Sequence, residues 1–130
     1  MGDNLRLHHI GIIVRDIEKN IKVYSKLGYQ LNKNIISDYS QNNRIAFMCS
    51  DFSTAIELIE PINELSSIYN FREGYHHICY EAEQGEDIVQ LFKTMKIGKI
   101  FTKPIIAPAL GNQEVVFACL QNGTFIEFIL

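Results

Sequence analysis

The sequence predicts an α+β protein that contains two copies of one βαβββ module. Two repeats support this prediction. The segment His8-His9-Ile10 recurs as His76-His77-Ile78, 68 residues further along, and residues 45–59 match residues 115–129 at an offset of 70 residues. A nearly constant offset across two separate blocks indicates that one structural unit was duplicated. The strand and helix patterns follow the same order in both halves, which also indicates an α+β fold with a repeated module.

The first module is predicted to span about residues 5–62. Its first strand is predicted over Leu7–Val14, because β-branched residues dominate this segment. Asp16 suits an N-cap, the apolar residues after it recur at helical spacing, and Gly28 is expected to end the helix. Three more strands are predicted, over residues 29–37, 44–50 and 54–60.

The second module is predicted to span about residues 73–130 and repeats this order. A strand is expected over residues 75–81, and apolar residues at helical spacing predict a helix that starts after Gly85 and ends by Gly98. Three strands follow, over residues 99–106, 114–120 and 124–130. The chain length leads us to expect that both modules share one core in a single domain over residues 1–130.

Composition and charge narrow the classes of function. A net charge of −3 with scattered basic residues provides no basic surface of the kind that nucleic acids require. No apolar segment reaches the ~20 residues of a membrane span, and the amino-terminal residues lack the apolar core of a signal peptide. Cys49, Cys79 and Cys119 lie in apolar segments, which is typical of reduced thiols. We therefore expect a cytoplasmic protein that binds neither nucleic acid nor membrane.

Two glutamates recur inside strongly apolar strands. Glu57 and Glu127 each lie in the middle of such a strand, where an unpaired carboxylate would cost several kcal/mol. A cation would compensate that charge. The histidines could share such a cation with the glutamates, because all four histidines of the chain lie in the repeated pairs. Two imidazoles and two carboxylates suit one divalent ion such as Co, Zn, Ni, Mn or Fe, with positions left for water or substrate. Glu60 has no counterpart in the second module and is interpreted as a solvated strand end.

Strand alternation favours one histidine from each pair. In the first strand, His8 shares a face with the apolar residues that should pack on the helix, whereas His9 shares the other face with Gly11, which leaves room beside its ring. The second copy places His76 and His77 in the same way. Parity therefore favours His9 and His77 as metal ligands, and the alternative is that all four histidines are structural or exposed.

The motifs around these residues resemble the vicinal oxygen chelate superfamily, which includes glyoxalase I, methylmalonyl-CoA epimerase and bleomycin-resistance proteins. The resemblance spans nearly the whole chain and is based on four motifs: His9-Ile10-Gly11-Ile12, Glu57-Leu58-Ile59-Glu60-Pro61, Gly74-Tyr75-His76-His77-Ile78 and Ile126-Glu127-Phe128. The first two motifs are most similar to methylmalonyl-CoA epimerases. Leu120-Gln121-Asn122-Gly123 differs from the Asp-Pro-Asp-Gly that glyoxalases usually carry before the last strand.

The resemblance implies an open, curved mixed sheet around a central metal cleft, with His9, Glu57, His77 and Glu127 as ligands of one divalent ion. It implies a metal-dependent isomerase or lyase that abstracts a proton next to a metal-bound carbonyl, as an epimerase does. We expect Glu127 to act as the base and Glu57 as ligand and second acid. The expected substrate is a small molecule such as a CoA thioester, and the expected assembly is a homodimer.

Two other functions stay open at this point. The first is a glyoxalase I (lactoylglutathione lyase)-type enzyme that acts on a glutathione adduct. The second is a protein that binds or sequesters a small molecule without catalysis. Members of the drug-sequestering kind generally lack the ligand set, which the sequence keeps at His9, Glu57, His77 and Glu127.

Overall fold

The computed structural model describes residues 5–82 and 87–130. These residues form ten strands, two α-helices and one 3-10 helix. In chain order the elements are β1 (Leu5–Ile13), α1 (Ile17–Lys26), β2 (Gln30–Leu31), β3 (Ile36–Asp38), β4 (Asn43–Ser50), β5 (Ser53–Pro61), β6 (Gly74–Ala82), α2 (Ile88–Met95), β7 (Gly98–Ile100), β8 (Ile105–Ala107), the 3-10 helix (Pro108–Leu110), β9 (Gln113–Leu120) and β10 (Phe125–Ile129).

The chain divides into two compact units. The amino-terminal unit contains residues 9–76, and the carboxy-terminal unit contains residues 77–130 together with the start of β1 up to His8. In the amino-terminal unit the strand order is β2-β4-β5-β1, and β3 pairs with β4. β1 runs parallel to β5, whereas β2, β3 and β5 run antiparallel to β4.

The carboxy-terminal unit repeats this topology. Its strand order is β7-β9-β10-β6, and β8 pairs with β9. β6 runs parallel to β10, whereas β7, β8 and β10 run antiparallel to β9. The predicted α+β class and the duplicated module with a mixed sheet are therefore confirmed. A single domain over residues 1–130 stays a prediction.

One helix covers one sheet face in each unit. In the amino-terminal unit, Ile17 of α1 belongs to a buried cluster with Met48 and Leu58 from the strands. In the carboxy-terminal unit, Phe92 of α2 belongs to a buried cluster that includes Phe128. Removing each such side chain from water stabilises the fold by about 1.5–3 kcal/mol. In each unit, the sheet face that contains these buried side chains is therefore the face that packs on the helix.

The helix ends follow from local sequence. Asp16 caps α1, where its carboxylate accepts a hydrogen bond from the backbone N–H of Lys19. Gly28, at φ +99°, follows the end of the helix as predicted. Asp87 caps α2 by accepting from the backbone N–H of Gln90. The predicted start of this helix after Gly85 falls on a residue that lies outside the described ranges.

Two predicted long strands are each divided into two short ones. The strand predicted over residues 29–37 is interrupted near Lys33, whose φ of 65° is incompatible with extended backbone. The strand predicted over residues 99–106 is interrupted before Pro104, which has no backbone N–H to donate to a sheet. Within the described ranges, no helix is long and apolar enough to cross a membrane.

Candidate functional site

His9 and Glu57 meet across two parallel strands in the amino-terminal unit. His9 of β1 is in register with Ala55 of β5, and Glu57 follows two residues later on the same face of β5. Nε2 of His9 lies 3.4 Å from Oε1 of Glu57. His9 is 0% exposed and Glu57 is 5% exposed, so the pair is removed from bulk water.

His77 and Glu127 form the same arrangement in the carboxy-terminal unit. His77 of β6 is in register with Phe125 of β10, and Glu127 again follows two residues later. Nε2 of His77 lies 3.1 Å from Oε1 of Glu127, which is within hydrogen-bond distance. Both side chains are buried. The structure therefore brings the four predicted ligands together as two His–Glu pairs, one in each unit.

The other two histidines are placed differently. On β1, Ile10 and Ile12 pack against the buried cluster that contains Ile17 of α1. Because side chains alternate along a strand, His8 is on the same, helix-covered face as these two residues. His76 is partly buried, and its ring meets the ring of Phe71 edge-on at a centroid distance of 5.1 Å.

Phe47 and Phe117 are site residues that the sequence reasoning missed. Phe47 is in register with Glu57 on β4, and its ring meets the ring of His9 edge-on at 5.0 Å. Likewise, Phe117 of β9 is in register with Glu127, and its ring meets the ring of His77 edge-on at a centroid distance of 5.6 Å. Each phenylalanine thus fixes the plane of one imidazole by packing. The signal was present in the sequence, because both phenylalanines recur unchanged in the longer repeat.

The donor set suits a divalent cation. Each pair offers an imidazole nitrogen and a carboxylate oxygen that face each other in a buried setting, and Co, Zn, Ni, Mn and Fe(II) all accept this mixture of ligands. Among the described residues, the buried carboxyl groups are those of Asp38, Glu57 and Glu127. Asp38 accepts hydrogen bonds from the backbone N–H and the hydroxyl of Ser40 in a turn. Glu57 and Glu127 are therefore the buried carboxylates that a cation at these pairs would compensate.

Glu60 is not a solvated strand end, contrary to the interpretation from sequence. One oxygen of its carboxylate accepts the backbone N–H of Ile17 at the start of α1, and the other accepts from Arg44. Its side chain is 13% exposed. A carboxylate near a helix N-terminus satisfies an unpaired N–H and interacts favourably with the helix dipole. Glu60 therefore fastens α1 to the sheet and lies apart from the His–Glu pair.

A comparison with protein families places these pairs in a known context. Residues 8–117 match the family described as the Glyoxalase/Bleomycin resistance protein/Dioxygenase superfamily. The chain belongs to this superfamily. The matched region contains His9, Glu57 and His77, and it ends before Glu127.

One relative that is similar in sequence to this chain is an epimerase. The ethylmalonyl-CoA/methylmalonyl-CoA epimerase of Cereibacter sphaeroides is 34% identical over 84 residues. That match covers 60% of the chain and 61% of the relative, so less than two thirds of the relative's length is matched.

Two solved structures share the fold of this superfamily member. A hypothetical protein of Bacillus halodurans is 28% identical with a TM-score of 0.83, over 98% of this chain and 94% of that chain. The methylmalonyl-CoA epimerase of Mycobacterium tuberculosis is 21% identical with a TM-score of 0.81, over 95% of this chain and 85% of that chain. The Bacillus halodurans protein has no function in its name. The Mycobacterium tuberculosis enzyme is only 21% identical, so its similarity shows the fold alone.

Proposed function

We propose that the chain is a metal-dependent epimerase that removes and returns the proton on the carbon next to a thioester carbonyl, with a short branched acyl-CoA such as methylmalonyl-CoA as substrate. The observation that carries this proposal is the duplicated, buried His–Glu pair on neighbouring parallel strands. The name of the relative in Cereibacter sphaeroides supports the choice of substrate.

His9, Glu57, His77 and Glu127 would together hold one divalent ion of the Co, Zn, Ni, Mn or Fe kind. Such an ion acts as a Lewis acid toward a carbonyl oxygen and makes the neighbouring C–H more acidic. The edge-on contacts of Phe47 and Phe117 hold the two imidazoles in fixed planes, which pre-orients the nitrogens for a ligand. The strand backbone supports both carboxylates, so little ordering is left to be done on binding.

Glu127 is the proposed base and Glu57 the proposed second acid. A base must lie within hydrogen-bond reach of the proton it takes, and the buried carboxyl groups of the described residues offer these two near the histidines. The two carboxylates occupy equivalent places in the two copies of the module, and in the proposed reaction one would take the proton from one side of the planar carbon while the other would return it from the opposite side. An epimerase requires this two-sided arrangement, whereas a binding protein does not.

The test is exchange of the substrate's α-proton with deuterated solvent, followed by NMR on protein supplied with each candidate metal. We expect exchange in the wild type and a loss of at least about 100-fold in Glu127→Gln, because general acid–base groups contribute about 10²–10⁴-fold. Glu114→Gln is the matched control, since Glu114 is an exposed glutamate on the neighbouring strand β9.

Each outcome bears on a different part of the proposal. Undiminished exchange in Glu127→Gln, with its fold intact by circular dichroism, would overturn the assignment of the base. Conversion of a glutathione hemithioacetal without exchange of methylmalonyl-CoA would favour the lyase. Binding of either compound without exchange would favour a non-catalytic binding protein. Homodimer assembly and a cytoplasmic location also stay predictions, which sedimentation and cell fractionation test.

A further inference from the structure

We propose that the amino-terminal unit receives the alkyl branch of the acyl group beside His9, and that Ala55 limits the size of this branch. The inference rests on the proposed function for the identity of the substrate. It starts from a difference between the two copies of the module. Ala55 is in register with His9, whereas the equivalent residue Phe125 is in register with His77. The two His–Glu pairs thus share their ligands but differ in the residue that lies beside the histidine.

Ala55 lies next to His9 on the sheet face that α1 does not cover. Residues in register point to the same face, and neighbouring strands lie about 4.8 Å apart. Ile56 belongs to the buried cluster that packs on α1, so alternation places Ala55 and Glu57 on the other face. Ala55 is partly exposed, whereas His9 and Glu57 are buried. A methyl group fills little space, so this is the side from which a substrate group can approach the imidazole.

Backbone hydrogen bonds identify a second pair of equivalent residues in the two units. The N–H of Phe101 donates to the carbonyl of Phe117 at 2.9 Å, and the N–H of Asn32 donates to the carbonyl of Phe47 at 2.8 Å. Phe117 and Phe47 are themselves equivalent, because each is in register with the glutamate of its pair. Asn32 therefore occupies in the amino-terminal unit the place that Phe101 has in the carboxy-terminal unit.

An aromatic pair fills this face in the carboxy-terminal unit alone. The rings of Phe101 and Phe125 lie 5.8 Å apart, which is within the usual range for aromatic contacts. In the amino-terminal unit the equivalent residues are Asn32 and Ala55, which supply no ring. The same face is thus occupied by large apolar side chains in one copy of the module and has a small side chain beside the histidine in the other.

The backbone also differs between the two copies at this place. The register of β4 and β5 shifts between Met48 and Ser50. Thr54 and Ala55 therefore together oppose Cys49, which is the arrangement of a β-bulge on β5. The paired stretch of β9 and β10 keeps one register throughout. Because bulges re-aim side chains and are frequent next to active sites, the bulge supports a role for Ala55 in the site.

The neighbours of Ala55 favour an alkyl group over the carboxylate of the substrate. Cys49 lies opposite Ala55 on β4, and a free cysteine behaves as a small apolar residue. Phe47 precedes Cys49 by two residues on the same face, and its ring adds apolar surface. Glu57 would repel a second carboxylate at this place. A methyl or ethyl branch therefore suits the surroundings of Ala55 better than a charged group does.

The test measures by calorimetry how protein supplied with Co²⁺ binds malonyl-CoA, which has no branch, and ethylmalonyl-CoA. Ala55→Val adds two methyl groups beside His9, and valine is well suited to a strand. We expect ethylmalonyl-CoA to bind at least about tenfold more weakly to this variant, because one methylene in an apolar pocket changes discrimination about 10–200-fold. Malonyl-CoA should bind as it does to the wild type. Ala109→Val is the matched control, since Ala109 is a partly exposed alanine on the 3-10 helix of the other unit.

Two further variants keep the test decisive if Ala55→Val does not fold. Ala55→Gly removes the methyl group and should shift the ratio of the two affinities in favour of ethylmalonyl-CoA. Phe125→Leu should leave that ratio unchanged. An unchanged ratio in both Ala55 variants would overturn the inference. A ratio that changes only in Phe125→Leu would also overturn it, because the branch would then lie beside His77, and so would an equal change in Ala109→Val.

Exchange of the α-proton on the same variants separates this inference from the proposed function. Exchange in the wild type with an unchanged ratio in the Ala55 variants would leave the epimerase standing and overturn the role of Ala55. A shifted ratio without exchange would support the role of Ala55 and show that the epimerase activity is wrong. Binding of neither thioester to the wild type would overturn both the role of Ala55 and the proposed substrate.

Discussion

Glu127 lies diagonally across from His77, two residues beyond the position on β10 that is in register with the histidine, with Oε1 3.1 Å from Nε2. Glu57 has the same relation to His9, at 3.4 Å. Because side chains alternate between faces along a strand, a shift of either strand by one residue would move the glutamate to the other face. The His–Glu pairs are thus a consequence of register, which the surrounding apolar residues fix.

We predict one divalent ion per chain, and its loss when either pair is removed. Two ligands hold a cation much less tightly than four, so His9→Ala/Glu57→Gln should abolish tight binding although His77 and Glu127 remain. Titration with Co²⁺ and elemental analysis measure the stoichiometry. Glu64→Gln/Glu114→Gln is the control, because both glutamates are exposed. Two ions per chain, or one ion retained after removal of a pair, would show that each pair binds separately.

Metal removal should lower the stability of the fold. A ligand that binds only the folded state at 100 times its dissociation constant adds about 2.7 kcal/mol to the free energy of unfolding. Chelator should therefore lower the melting temperature of metal-loaded protein, and added Co²⁺ should restore it. Glu57→Gln should have a melting temperature that chelator does not change. An equal effect of chelator on wild type and variant would argue against a metal at these residues.

Phe117→Leu should weaken metal binding while leaving the fold intact. The ring of Phe117 meets the ring of His77 edge-on, and leucine keeps the apolar volume but loses this contact. Groups that orient a metal ligand typically contribute about 10–100-fold to affinity. Phe52→Leu is the control, because Phe52 is 97% exposed. Unchanged affinity for Co²⁺ in Phe117→Leu would mean that the phenylalanine only fills space.

The sequence predicted the module and the residues of the pairs because both depend on local patterns. Alternation along β1 distinguishes His9 from His8 without any knowledge of neighbouring strands. The parallel pairing of β1 with β5, and of β6 with β10, depends on long-range contacts, so the distances within the pairs could not be derived. The tertiary role of Glu60 was missed for the same reason, since its partners Ile17 and Arg44 are distant in sequence.

Arg44→Met should destabilise the protein more at neutral pH than in acid. Arg44 donates to Glu60 and to Glu18, and its hydrogen bond to Glu18 is the main cause that holds the pKa of that carboxyl below its ordinary value. A lowered pKa in the folded state stabilises the fold above the ordinary carboxyl pKa of about 4.3, and this contribution disappears as the pH falls through the folded value. The variant should lose about 1–2 kcal/mol at pH 7 through the part-buried Glu60 contact alone.

Urea unfolding across this pH range measures the effect of Arg44. The difference between wild type and Arg44→Met should narrow in acid. Arg6→Met is the control, because Arg6 is 76% exposed where it pairs with Glu81, and such surface pairs contribute about 0–1 kcal/mol. A difference for Arg44→Met that stays constant with pH would show that the lost packing of the side chain dominates.

Gly98→Ala should loosen β7 and lower the stability of the fold. A Cβ at this position would lie 2.2 Å from the backbone oxygen of Cys119, and backbone cannot rotate away. Overpacking of this kind costs about 1–3 kcal/mol, and faster amide hydrogen exchange at Lys99 would report it. Gly111→Ala is the control: it meets no atom within 4 Å but has a φ of +65°, so it adds strain without displacing β7. Faster exchange at Lys99 in Gly98→Ala alone would show that the close approach of this backbone to Cys119 holds β7 in place, whereas equal exchange in both variants would contradict this account.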